Sequence, residues 1–187
     1  MEMIDFGPTT DQLARLVQGV RDDQLAGPTP CPDWSVADLL THIAGLTVEF
    51  TSAAGKEPTP ARAGDGLTEG WRERVGADLS ELADAWWQAD AYAGETHAGP
   101  VTLPGREAGL VALNEVTVHA WDLAQATGQS YDHDPAAVRA ATAFVRAFDA
   151  PANTDGGLFG PPQEVPRDAT DLDRLVGLTG RERSWTP

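Results

Sequence analysis

Apolar residues recur at the three-and-four spacing of an amphipathic helix in five stretches of this chain, and no stretch sustains the period-two alternation of a half-buried strand. The spacing predicts an all-α fold. TTDQLARLVQGV forms the first helix, with Thr9 or Thr10 as N-cap and Leu13, Leu16, Val17 and Val20 on one face. After the proline-rich loop GPTPCPDW, SVADLLTHIAGLTVEFTSA forms the second. Ser35 and Asp38 read as a capping box with Asp in place of the usual Glu, and Val36, Leu39, Leu40, Ile43, Leu46 and Phe50 make the buried stripe. A third helix covers VGADLSELADAWWQAD, with Val75, Leu79, Leu82 and Trp86 inward. The fourth runs from about Glu107 until Gly128 serves as the residue beyond its C-cap. The fifth starts at Asp134 with Pro135 in its first position and presents Val138, Ala141, Val145 and Phe148.

The segments between these helices differ in kind. AGKEPTPARAGDGLTEG is rich in Gly, Pro and charge without periodicity and reads as a mobile surface loop. APANTDGGLFGPPQEVPRDA reads as an extended strap laid over the bundle, followed by one short helix at TDLDRLVGL. No internal repeat occurs and no linker separates two cores, so residues 1–187 are expected to form one domain, a length at which a single core suffices without disulfides.

Charge and cysteine content narrow the function. Thirteen basic against twenty-nine acidic side chains give a formal net charge of −16, which repels phosphate backbones and anionic lipid headgroups, so no nucleic-acid or membrane partner is expected. The N-terminal MEMIDFGPTTDQLARL shows no basic stretch followed by an apolar run, and no run reaches the length of about eighteen apolar residues that a membrane span needs, so a cytoplasmic protein is expected. The lone Cys31 excludes an intrachain disulfide, and with no histidine or basic residue near it in sequence it reads as a passive loop cysteine. Trp34, Trp86, Trp87 and Trp121 read as core anchors.

One polar stripe interrupts the apolar pattern. In LNEVTVHAWDLAQATG, Glu115, His119 and Asp122 stack on one face of the fourth helix, and the first two set a carboxylate and an imidazole one turn apart, a spacing that lets both reach one metal ion. The same spacing also suits a minor contact on a solvated helix face. His42 lies at the margin of the second helix's apolar stripe, pointing partly inward, either as a further ligand or as a core-edge histidine bonded to a carbonyl. Gly45, one turn on, leaves room for a bound molecule or for a close helix contact. Asp122 is the catalytic candidate: it can orient His119, accept a proton from a metal-bound water, or simply lie at the helix surface. His97 and His133 fall in loops and read as solvated. No G-x-S-x-G, Walker-type loop, dinucleotide fingerprint or C-x-x-C occurs.

TPCPDWSVADLLTHIAG, EVTVHAWDLAQATG and the tail FGPPQEVPRDATDLDRLVGLTGR, in that order, resemble the DinB/YfiT-like metalloprotein superfamily. Within it the chain is most similar to actinobacterial metal-binding proteins related to the N-terminal domain of mycothiol-dependent maleylpyruvate isomerase. The resemblance implies a four-helix bundle, here with an additional helix and the C-terminal strap, binding a divalent metal through His42, Glu115 and His119. Two histidines and one carboxylate leave coordination positions open, as in a catalytic zinc site; zinc is the first expectation, and nickel or iron accept the same donors. Assigned members are similar to transferases or isomerases that use a low-molecular-weight thiol such as mycothiol, which loses its proton at the metal and adds to a small electrophile. The isomerase carries a second, C-terminal domain that contributes to its active site, whereas this chain ends soon after the bundle. A thiol-conjugating or other detoxifying reaction is therefore expected rather than maleylpyruvate isomerisation.

A second reading, from another class, is a non-catalytic metal- or small-ligand-binding module, a sensor or stress protein whose metal shell a fourth ligand such as Glu49 would close. A third has no metal and a hydrogen-bonded polar stripe. Arg106 and Arg139 are candidates to receive an anionic substrate, and the apolar faces suit a monomer or a homodimer.

Overall fold

The computed structural model describes residues 3–60, 66–148 and 159–187. Its helices are α1 (Gly7–Gly19), α2 (Val36–Gly55), α3 (Trp71–Trp86), α4 (Gly105–Thr127), α5 (Pro135–Phe148) and α6 (Asp171–Leu178). Two short strands, β1 (Glu95–Ala98) and β2 (Val101–Pro104), pair antiparallel just before α4. The architecture is the helical bundle that the periodicity predicts. The hairpin corrects the expectation of no strand: each strand is four residues long, too short to display a sustained alternation. It also moves His97 out of a loop and into β1, paired with Thr102.

Helix starts follow local chemistry. The Ser35 hydroxyl accepts from the Asp38 amide at 3.2 Å and the Asp38 carboxylate accepts from the Ser35 amide at 2.9 Å, so the capping box forms as predicted. Asp134 accepts from the amides of Ala136 and Ala137 at the head of α5, and Gly128, at φ 67°, ends α4 in the left-handed conformation that glycine adopts without strain. α1 departs from expectation, because Phe6 is its N-cap and Thr9 and Thr10 lie buried within it. Pro8 in the first turn lacks an N–H that no helix would use there and starts the helix earlier. The Thr10 hydroxyl instead bonds the carbonyls of Phe6 and Gly7. α3 begins at Trp71 rather than Val75 and ends at Trp86.

α1 packs on α3, α3 on α2, α2 on α4 and α4 on α1, which closes a four-helix ring around Leu13, Leu40, Ile43, Leu79, Trp86 and Leu113, all essentially inaccessible. Trp86 donates its indole N–H to the Phe50 carbonyl at 3.1 Å, so the largest core side chain is also satisfied. Close approach at this level depends on Gly109 of α4: a Cβ there would lie 2.9 Å from the Trp86 ring and 3.1 Å from Tyr92. α5 lies against the outside of α4, and α6 against α5, around a second apolar cluster of Val118, Val138, Val145 and Leu175. Trp87 departs from its expected anchoring role and is 55% exposed. Residues 61–65 of the expected mobile loop, residues 149–158 of the expected strap and the Phe148 side chain lie outside the described residues. Among those described, no helix is long and apolar enough to cross a membrane.

Candidate metal centre

α4 is covered by the ring on one side and by α5 on the other, so its polar stripe has little solvent to face. Asp122 is fully buried, the His119 side chain is 8% exposed and that of Glu115 is 21% exposed. The stripe therefore has to find its partners inside the protein or in a ligand. Glu115 Oε2 lies 3.1 Å from His119 Nε2, and 3.4 Å from Nε2 of His42, which α2 brings in from the neighbouring corner of the ring. The three side chains that the sequence singles out are thus gathered at one point, their donor atoms all within 4.8 Å of one another.

This spacing suits a divalent ion. Four donors at about 2.0–2.1 Å in a tetrahedron stand roughly 3.3 Å apart, close to the two separations seen here. Trp34, from the loop before α2, closes one side of the cluster, its ring 4.9 Å from that of His42 and 6.2 Å from that of His119. It is half-buried, packed against the core on one side while it walls the site on the other.

Behind His119 lies a second polar group. Its Nδ1 is 2.9 Å from Asp122 Oδ2, and because a carboxylate only accepts, Nδ1 carries the proton and Nε2 is turned towards Glu115 and His42. Asp122 Oδ2 also accepts from the Cys31 thiol at 3.2 Å and from Arg181 Nη2 at 3.0 Å, while Arg181 Nε reaches Oδ1 at 3.3 Å. Arg181 Nη2 lies 3.6 Å from the Cys31 sulfur. Cys31 is consequently not a passive loop residue. A histidine, a carboxylate and a guanidinium surround it, all brought by tertiary contacts. Cys31, His119 and Asp122 also have donor atoms close enough for a metal, but the Arg181 guanidinium already lies against that group and would repel a cation.

Burial alone would push the Glu115 carboxyl up, yet hydrogen bonds from His119 and His42 and their charge hold it well below the usual carboxylate range. For His119, burial would favour the neutral ring; hydrogen bonds to Asp122, Cys31 and Glu115 outweigh it and raise its pKa well above the ordinary histidine value. Asp122 is lowered, against its burial, by His119 and Arg181. His119 therefore holds its charged form between two carboxylates, those of Glu115 and Asp122.

The cluster opens into a cavity of about 670 Å³ walled by α2, α4, the loop around Cys31 and the C-terminal tail from Phe159 to Gln163 and from Thr179 to Arg181. The tail reaches this place through a tight contact: Gly180 sits at φ 84°, and a Cβ on it would come within 2.8 Å of the Gly160 backbone. Arg106 and Arg139 do not line this cavity but a separate groove of about 730 Å³ between α4, α5 and the N-terminal segment. The cation at the site is Arg181, which the sequence reading missed. Glu49 does not join the donor cluster; its carboxylate faces Gly99 at the hairpin turn. Gly45 is half-buried in α2 and does not line the cavity. His97 is exposed, and His133 is half-buried against Tyr131, not fully solvated.

The model of the mycothiol maleylpyruvate isomerase N-terminal domain family matches residues 6–124, which include all three donors, Asp122 and Cys31. The chain belongs to that family. An uncharacterized protein of Mycobacterium tuberculosis, from strains CDC 1551 and H37Rv, is 32% identical over 173 residues, covering 91% of this chain and 92% of the relative. Two crystal structures of the mycothiol-dependent maleylpyruvate isomerase, one of them a histidine-to-alanine variant, share the fold with TM-scores of 0.56 and 0.52 at 19% identity. Those matches cover 73% of this chain and 65% of the isomerase, so the chain spans just under two thirds of that protein's length. The family membership agrees with the resemblance in the sequence, and the DinB-like bundle is consistent with it. Arg181 and the tail wall lie beyond the matched residues.

Proposed function

We propose that His42, Glu115 and His119 hold a divalent ion, zinc in the first instance, and that the protein uses it to transfer or isomerise small electrophiles with a low-molecular-weight thiol of the mycothiol type. The observation that carries this reading is the convergence of three donor atoms at metal-compatible spacing on the wall of an open cavity. A divalent ion held there supplies Lewis acidity, which lowers the pKa of a sulfur that enters beside it. Asp122 keeps the Nδ1 proton on His119 and so keeps Nε2 free as a donor. Arg181 neutralises Asp122 and keeps that orientation from depending on a lone buried charge. Trp34 restricts access of water from the loop side and fixes the two imidazole planes. No fourth protein donor closes the cluster among the described residues, which favours a site that receives a ligand over a purely structural ion. The reading fits a protein of the reducing cytoplasm.

Metal content by plasma mass spectrometry tests it, on untagged protein and its His42→Ala and His119→Ala variants. Near-stoichiometric metal in the parent and its loss in both variants is the expected result. A folded parent that takes up no metal after incubation with zinc, nickel or iron would overturn the reading.

A further inference from the structure

The groove between α4, α5 and the N-terminal segment lies away from the three donors. Its volume of about 730 Å³ falls within the range of roughly 300–1,000 Å³ typical of small-molecule sites. Half-buried Ile4, Leu110 and Ala140 give it an accessible apolar floor, with Met3 and Ala143 exposed beside them. Two exposed arginines, Arg106 on α4 and Arg139 on α5, line the same groove. Elsewhere the fold pairs its guanidinium groups with aspartates, as at Arg21, Arg72, Arg181 and Arg183. Among the described residues neither Arg106 nor Arg139 donates a hydrogen bond or stands in an ion pair, although acidic side chains outnumber basic ones by twenty-nine to thirteen. Two of the three acids on the rim are committed to backbone amides: Asp5 accepts from Gly7 at 2.9 Å, and Asp134 from Ala136 and Ala137 at 3.1 and 3.0 Å. The third, Glu107, stands in the first turn of α4, where the helix's own N–H groups favour a negative charge.

The chemistry of an occupant follows from this pairing of floor and rim. A guanidinium offers a planar fork of N–H donors that matches a carboxylate, and the apolar floor beside it takes a hydrocarbon. A second copy of this chain is a poor occupant, because two bodies of net charge −16 repel each other. We propose that the groove binds small amphipathic carboxylates, the hydrocarbon lying on the floor and the carboxylate held by the arginines of the rim. None of the three candidate metal donors lines the groove, so this site does not depend on the thiol-binding reading.

A pair of probes of opposite charge tests it. Decanoate and decyltrimethylammonium share an alkyl chain, and each is titrated calorimetrically, below its micelle concentration, into untreated and chelator-treated protein. The net charge alone favours the cation, so a parent that binds decanoate tighter by about tenfold or more, with or without metal, supports the groove. The double variant Arg106→Gln/Arg139→Gln loses that preference with a parent-like Tm, since neither guanidinium holds a partner in the fold, and the two single variants stand in should it fail to fold. Ala143→Trp fills the groove without changing charge and weakens decanoate as well. A parent that prefers the cation or binds neither probe, or decanoate binding that persists in these variants, overturns the proposal. So does binding that is lost in His42→Ala instead, which would place the carboxylate at the donors. A dimer that Ala143→Trp dissociates in sedimentation velocity would overturn it in favour of a second copy in the groove.

Discussion

Arg181 holds Asp122 from 59 positions away in the chain, its Nη2 and Nε bonding the two carboxylate oxygens at 3.0 and 3.3 Å. The oxygen nearer to Nη2 is the one that also receives the His119 Nδ1 proton. The tail and the candidate metal centre are thereby coupled through one buried carboxylate.

Breaking that pair leaves a fully buried charge with too little compensation. Arg181→Met should destabilise the metal-free protein by about 3–5 kcal/mol, read from urea unfolding. Combining it with Asp122→Asn should cost less than the two single changes together, since each removes the same interaction. A loss below about 1 kcal/mol for the single variant would show that other groups satisfy Asp122.

Asp122→Asn alone addresses orientation. An asparagine can present its N–H₂ to His119 Nδ1 and favour the wrong tautomer, turning the proton onto Nε2. Zinc affinity, measured by competition with a chromophoric chelator, should fall by about 10–100-fold while the helical circular dichroism is kept. Parent-like affinity would remove Asp122 from any role at the metal.

The pH dependence should differ between the metal-free and zinc-loaded protein. His119 has a folded pKa raised above its unfolded value, so its stabilisation is fully present below about pH 6.5 and is lost as pH rises through the raised value. Glu115 and Asp122 are lowered, so theirs is present above the ordinary carboxylate range and is lost as pH falls through their folded values. The Tm of chelator-treated protein should therefore decline on the alkaline side of neutrality. The zinc-loaded form needs no proton on Nε2 and should hold its Tm there, with zinc affinity rising with pH. Alkaline limbs that coincide would contradict this account.

Packing offers a test away from the site. Gly109→Ala pushes a methyl group against Trp86 and Tyr92 at the closest approach of α4. We expect a loss of about 1–3 kcal/mol in chemical unfolding from overpacking, with metal content unchanged. A neutral result would mean that the two rings yield more readily than their burial suggests.

Much of this arrangement is legible in the sequence, and what is not has common physical causes. The ends of α2, α4 and α5 are written in local chemistry, through Ser35 with Asp38, Gly128, and Asp134 before Pro135. The face that α5 buries is legible too, but not what it buries against: an amphipathic stripe looks the same inside a ring and on its outside. Glu115 and His119 announce themselves by spacing, and His42 by its place at the edge of a stripe. Cys31 and Arg181 give no such signal. Their importance comes from contacts across long sequence separations, which leave no period in the chain. The strands of the hairpin are too short to show one.

The tight crossing of Gly160 and Gly180 has a consequence for how such a protein can diversify. It fastens the far wall of the cavity to a stretch of chain that contributes none of the three donors. Substitutions in that stretch can reshape what the cavity admits while the three candidate donors stay as they are. Mounted in this way, selectivity can drift under one kind of selection and reactivity can be held under another, on two parts of a single polypeptide that meet at Asp122.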